Sequence, residues 1–413
     1  MKIADAVKAL PRMLAGDELA SAMTILPEYD DSIRKEDAAT RLMALSDLYR
    51  IYLPSQMSHE IYSKLYLALL RSLQKKGSKL AVQQQNQNYK AIRGQEYSGI
   101  LGGSDSFTII GTSGIGKSSA ISRALELITA DGVIEIDEPY AKIVPCVIVQ
   151  CPFDSSVKGL LLEILRKVDE CLDSKYYVNA VRIRATTDML IGSVSQVALN
   201  HIGMLVVDEI QNVVNSKHGK SLIGALTQLI NNSGISICMV GTPESAVFFE
   251  QAMQLARRSL GLQYGQLEYD GYFRDFCNVL FGHQYTRQQT NISPAIIEWL
   301  YEHSSGIVSV VVSLVHDAQE IAILNGSEIL DMATLNEAYQ QRLSLLHAYI
   351  EPAVKKNRSN MTKKKSSAAI ATAPDATSED GISISALVEQ AKAKNQDVLS
   401  LLRQHFSVVE VKV

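Results

Sequence analysis

The chain has 413 residues, 46% hydrophobic and 20% charged, which is apolar material for two or three domains at roughly 100–200 residues each. Forty Lys and Arg against 44 Asp and Glu leave a net charge of −4, which excludes a wholly basic coat protein and an acidic disordered tail. The charge is uneven: residues from Lys355 onward carry +4 and residues 1–354 carry −8, so any polyanion contact in the main body must be local.

The five cysteines (Cys146, Cys151, Cys171, Cys238, Cys277) are odd in number and contain no C-x-x-C pair. Neither a disulfide framework nor a zinc site follows from that pattern. Cys146, Cys151 and Cys238 stand in apolar runs and are expected to be small buried hydrophobes. The opening MKIADAVKALPRM has Asp5 and Pro11 where a signal peptide needs its apolar core. No segment reaches about 18 uninterrupted apolar residues. The expectation is a cytoplasmic protein without membrane contact.

Residues 1–92 read as a helical arm. Ile61, Leu65, Leu69 and Leu73 repeat at every fourth position and predict an apolar stripe on a helix ending near Lys75-Lys76-Gly77. Tyr52, Tyr62 and Tyr66 flank the stripe and read as packing residues, and the polar run 83–88 reads as a loop or helix end. From Ser106 the grammar changes. Short β-branched runs (107–110, 144–149, 204–207, 235–240) alternate with longer helical patterns (118–128, 157–171, 189–200, 221–230). This predicts an α/β core, 93–291, in which a parallel sheet is flanked by crossover helices. A strand-like stretch is also expected at 265–269. Residues 292–352 return to helices and form a separate lid. The composition of 353–380 is that of a disordered basic linker, and 381–413 is a short C-terminal element suited to docking a partner.

The strongest signal is Gly111-Thr112-Ser113-Gly114-Ile115-Gly116-Lys117-Ser118, which matches G-x-x-x-x-G-K-[ST] between a predicted strand and helix. A loop of this spacing wraps a phosphate with its own N–H groups. Its lysine, Lys117, reaches the β- and γ-phosphates, and the Ser118 hydroxyl ligates Mg²⁺. The helix entered at Lys117 adds its positive end, and Ser119 completes the cradle for ATP. Met204–Val207 then runs into Asp208 and Glu209. Asp208 is the candidate for the Mg²⁺ shell and Glu209 the candidate general base. At the end of the next strand, Thr242 in Gly241-Thr242-Pro243 is placed to touch the γ-phosphate or the water. Arg257 and Arg258 are candidates for an arginine finger inserted into a neighbouring subunit's site.

In this order, the P-loop, Asp208-Glu209-Ile210-Gln211-Asn212, Gly241–Ser245, a paired Arg and a helical lid resemble an AAA+ ATPase. Together with Tyr52-Leu53-Pro54 and Ser305-Gly306-Ile307-Val308, the details resemble the TnsC/TniB type of transposition regulator over roughly residues 36–350. One departure is that Ile307-Val308-Ser309 supply no charge after Gly306, where many such lids carry a sensor Arg. The resemblance implies an ATP-dependent homo-oligomer, a ring or helical filament on double-stranded DNA, linking a target-selection protein to a transposase and reset by hydrolysis. Lys158, Lys175, Arg182 and Arg184 are candidates for backbone contacts to DNA, and the absence of any base-reading module implies no sequence specificity. A helicase-loader or replication-initiator-like ATPase, or a protein-only signalling or secretion ATPase, would share the core motifs.

Overall fold

The computed structural model describes residues 4–76, 78–96, 106–129, 132–136, 141–213, 219–246 and 261–344. The arm contains helices α1 (Ala4–Lys8), α2 (Gly16–Met23), α3 (Ala38–Ala44), α4 (Gln56–Lys76) and α5 (Lys79–Ile92). Strand β1 (Phe107–Gly111) leads to α6 (Lys117–Ile128). Then come β2 (Ile134–Ile136), β3 (Ala141–Gln150), α7 (Val157–Leu172), α8 (Tyr176–Arg182) and α9 (Thr187–His201). β4 (Ile202–Asp208), α10 (Gly219–Ser233), β5 (Ser236–Gly241) and β6 (Leu262–Tyr264) complete the sheet. The lid follows with α11 (Gly271–Gly282), α12 (Pro294–Ser304), α13 (Val308–Asn325) and α14 (Met332–Arg342).

The sheet order is β2-β3-β4-β5-β1-β6, parallel throughout except for the β2–β3 pair. β1 and β5 are buried along their whole length, as strands covered on both faces by crossover helices must be. The helices start where the sequence offers caps: Ser156 accepts from Gly159 N, Thr186 from Met189 N, and Asp331 forms a capping box with Thr334. The fold is thus a mixed, mostly parallel sheet between helical layers.

Two cores sandwich the sheet. On one face Leu160 and Ile164 of α7, Leu190 and Val194 of α9 and Leu226 of α10 pack against Val147, Leu205 and Ile237. On the other, the stripe Ile61, Leu65, Leu69 and Leu73 of α4 joins Ile121 and Leu125 of α6 over Ile109, Met204 and Val206. Each such aliphatic side chain contributes about 2 kcal/mol of burial. A third core lies within the lid, and it recruits Leu45, Leu48 and Ile51 from the arm. Helix α13 is the one described helix long and apolar enough to cross a membrane, and it lies in that third core with 56% of the window buried.

Several expectations change. The polar run 83–88 lies inside α5 instead of ending a helix, with three of its side chains bonded inward. Buried Gln84 donates to Asn88, Asn88 donates to Asn232 O, and Gln85 donates to Asn200. At the sheet edge the strand is Leu262–Tyr264 and 265–269 is not a strand. Pairing with β1 stops at Gly111 opposite Tyr264, where β1 itself ends. Cys151 and Cys238 are buried, whereas Cys146 is only half-buried. Tyr62 and Tyr66 are core residues, but Tyr52 lines the cavity described next. The linker and C-terminal element lie outside the described residues.

Candidate functional site

In a parallel sheet, ligands bind beyond the carboxyl ends of the strands. Because β1 lies beside β5 and β5 beside β4, the ends of these three strands bring Gly111, Asp208 and Gly241 to one edge. A cavity of about 400 Å³ opens there. It is lined by Ser113–Ser119, Asp208, Glu209, Gln211, Gly241 and Thr242, that is, by all three motif segments at once.

The loop's shape depends on its glycines. A Cβ on Gly111 would stand 2.8 Å from Ile115 Cδ1 and 2.9 Å from Tyr264 O, so no side chain fits where the loop leaves β1. Gly114 and Gly116 have φ of +80° and +94°, the left-handed region that other residues enter only at a cost. Gly116 then serves as N-cap of α6, which aims the first turn of that helix into the cavity. Lys117 Nζ donates to Gly111 O at 2.6 Å and Thr112 O at 2.9 Å. Burial pushes the Lys117 ammonium below its ordinary range, while the charges of Asp208, Glu209 and Glu244 oppose that shift.

Asp208 Oδ1 accepts from the Glu209 N–H at 2.8 Å, which fixes the carboxylate at the end of β4. Glu209 has φ of +56°, a rare conformation for a residue with a Cβ, and its exposed carboxylate accepts from Gln211 Nε2. The Thr242 hydroxyl donates to Glu244, whose carboxyl is held below the ordinary range by that bond and by its own backbone N–H. Ser118 offers a hydroxyl and Asp208 a carboxylate to the same cavity. That oxygen donor set suits a hard divalent cation such as Mg²⁺.

The remaining walls come from parts of the chain whose sequence gave no such signal. Tyr52, Leu53 and Met57 of the arm face Tyr272 and Phe276 of α11 and Val312 of α13, making an apolar compartment beside the phosphate loop. Tyr272 OH donates to Leu53 O at 2.8 Å, tying lid to arm. Ser309 N donates to Gly114 O at 3.0 Å, so the first turn of α13 sits directly on the phosphate loop. Apolar positions such as Phe276 and Val312 look like ordinary helix-core residues in sequence. For the arm, only the family resemblance of Tyr52-Leu53-Pro54 drew attention to the segment.

Not every candidate joins this site. Arg257 and Arg258 lie outside the described residues. Lys158 is exposed in the first turn of α7, and Lys175, Arg182 and Arg184 are exposed at and just beyond α8; none of the four lines the cavity.

Residues 103–263 match the family model for the bacterial TniB protein. No curated protein sequence matches the chain. Among solved structures, the Aeropyrum pernix ORC1 protein in complex with DNA is 14% identical with a TM-score of 0.41, covering 78% of this chain and 82% of its own. The ADP form of the Aeropyrum pernix ORC2 protein is 15% identical with a TM-score of 0.41, covering 64% and 67%. Drosophila ORC bound to DNA is 12% identical with a TM-score of 0.38, covering 82% and 72%. The matched segment runs from β1 into β6 and carries the phosphate loop, Asp208-Glu209 and Thr242, so over these residues the chain is similar to the bacterial TniB family.

Proposed function

We propose that the protein is an ATP-dependent regulator of DNA transposition: a cytoplasmic ATPase whose product is an assembly state on double-stranded DNA. The observation that carries this reading is the TniB-family match over residues 103–263, the same segment that supplies the phosphate-binding and carboxylate walls of the cavity. In this reading the core 93–291 holds ATP between the arm 1–92 and the lid 292–352. The linker 353–380 tethers the element 381–413, which docks the transposase or the target-selection protein.

The chemistry follows from the residues. The N–H groups of Gly111–Ser119 and the Lys117 ammonium hold the β- and γ-phosphates. Ser118 and Asp208 are the residues that would hold Mg²⁺, which supplies charge neutralisation at the phosphate oxygens. Glu209 accepts a proton from water as the water oxygen bonds to the γ-phosphorus. The bond to the β-phosphate oxygen then breaks, leaving ADP and phosphate. Thr242 orients the γ-phosphate, and Arg257 or Arg258 of a neighbouring copy neutralises the developing charge. The apolar compartment of Tyr52, Met57, Tyr272, Phe276 and Val312 takes the base. ATP bound where protomers meet makes ring or filament assembly depend on the γ-phosphate, and hydrolysis favours release.

Electron microscopy and co-sedimentation with ATP and duplex DNA test this. Wild type is expected to form rings or filaments with ATP and not with ADP. Lys117→Ala is expected to abolish assembly, and Glu209→Gln to assemble and persist. Normal ATP-dependent assembly by Lys117→Ala would overturn the nucleotide switch.

A further inference from the structure

Glu209 is exposed and sits on a backbone with φ of +56°, so without a partner its side chain would sample several rotamers. Among the described residues its side chain is held by Gln211, whose Nε2 donates to Oε2. A carboxylate only accepts, so the amide must turn its NH₂ toward Glu209 and its oxygen the other way. That oxygen, Oε1, is buried without a hydrogen-bond partner among the described residues. It lies against the end of β5, 3.2 Å from where a Cβ on Gly241 would stand. The turn that carries Gln211 is itself anchored. Asn212 Nδ2 donates to Cys151 O at 3.0 Å, and Ser155 Oγ donates to Asn212 O at 3.1 Å.

A buried amide oxygen without a protein partner lowers the stability of the fold, and an apolar side chain of the same length would not carry that cost. Among the protein groups described, what the amide contributes is its bond to the Glu209 carboxylate. We propose that Gln211 is a positioning residue for ATP hydrolysis, orienting the Glu209 carboxylate with Oε2 held and Oε1 free for the water, at the expense of fold stability. A base oriented by a third group is the arrangement that general-base chemistry requires. A Cβ on Gly241 would stand 2.6 Å from Ile210 Cγ2, 2.8 Å from Ser245 Oγ and 3.2 Å from Gln211 Oε1, so a glycine there leaves room for the amide. The role rests on the ATPase reading above.

The test uses Gln211→Met in the full chain, which keeps length and volume and removes both hydrogen-bonding functions. Turnover is expected to fall about 10- to 100-fold, the scale of a misplaced catalytic group, with KM for ATP within about twofold of wild type. The melting temperature is expected to stay level or rise. Trapping of ADP with aluminium fluoride, which mimics the transition state, is expected to weaken about tenfold or more while ADP affinity is unchanged. Turnover or aluminium fluoride trapping at the wild-type level overturns the proposal. So does a melting temperature that falls together with ATP affinity, which would mark Gln211 as structural. Failure of the wild type itself to hydrolyse ATP, with or without DNA, overturns the ATPase reading, a result distinct from an unaffected Gln211→Met.

Discussion

Gly114 is subject to two constraints at one Cα. Its φ of +80° is strained for any residue with a Cβ, and that Cβ would lie 2.3 Å from Ser309 Oγ and 2.9 Å from Ile307 Cγ2. The backbone conformation costs about 1 kcal/mol, and the collision forces Ser309 and Ile307 at the start of α13 to shift against the phosphate loop. Gly114→Ala is therefore expected to weaken ATP binding by about tenfold or more in a fluorescent-nucleotide titration, since about 1.4 kcal/mol is a factor of ten. Adding Ser309→Gly removes the nearer contact and should recover part of the loss, leaving the backbone term. Additive losses in the double variant would show that the lid does not rest on the loop. Sequence alone made Gly114 legible as part of a phosphate cradle, because that cradle is local in the chain. Ser309 was legible only as a residue lacking the charge of a sensor Arg. Its contact with Gly114 spans nearly two hundred residues and depends on how the lid packs.

The arm and lid are joined by an ion pair that no periodicity would reveal. Arg41 of α3 is 1% exposed and binds Glu328, in the turn between α13 and α14, through two bonds of 2.6 Å. Arg41 also donates to Glu36 O and Tyr285 O, and Glu328 accepts from the Arg287 N–H, so both ions are well satisfied. Removing Glu328 leaves the 1%-exposed Arg41 ion uncompensated, which typically costs about 3–5 kcal/mol, whereas Glu328 is 17% exposed and keeps Arg287 at 3.7 Å. Glu328→Leu is expected to lower stability by about 3 kcal/mol in denaturant unfolding, and Arg41→Met with Glu328→Leu by much less. The Arg41 hydrogen bonds hold the Glu328 carboxyl below its ordinary range. This stabilisation is therefore complete above the unfolded-state value and is lost only as pH falls through the depressed one. At this scale the sequence spoke clearly through its periods. The buried strands, the α4 stripe and the crossover helices α6, α7, α9 and α10 stand where their patterns put them. It spoke poorly where polar residues pair inward, as along α5, because a buried Gln84 and an exposed one have the same letter. Long-range pairs such as Arg41 with Glu328 carry no local signature at all.

For the whole molecule, a body of net charge −8 must bind a polyanion, if it does, through a narrow repeated face. The exposed Lys158, Lys175, Arg182 and Arg184 cluster in sequence on α7, α8 and the turns around them. Helix α7 leaves β3 through a loop tied to the Asp208–Asn212 turn: Cys151 N donates to Asp208 O at 2.8 Å, and the Cys151 carbonyl and Ser155 hydroxyl both bond Asn212. A change at the carboxylates thus has a short path to these cations, and only a few contacts per protomer suffice when many protomers sit on one duplex. Each phosphate neutralised contributes about 0.9 to the slope of log affinity against log salt. Lys158→Ala with Arg182→Ala and Arg184→Ala is expected to lower that slope per protomer and reduce ATP-dependent co-sedimentation with duplex DNA about equally for unrelated sequences. Removal of residues 355–413, which carry +4, is expected to lower the slope independently, as a separate tether would. Loss of all salt dependence on removing the tail alone would assign the duplex contact to the tail and exclude the α7–α8 face.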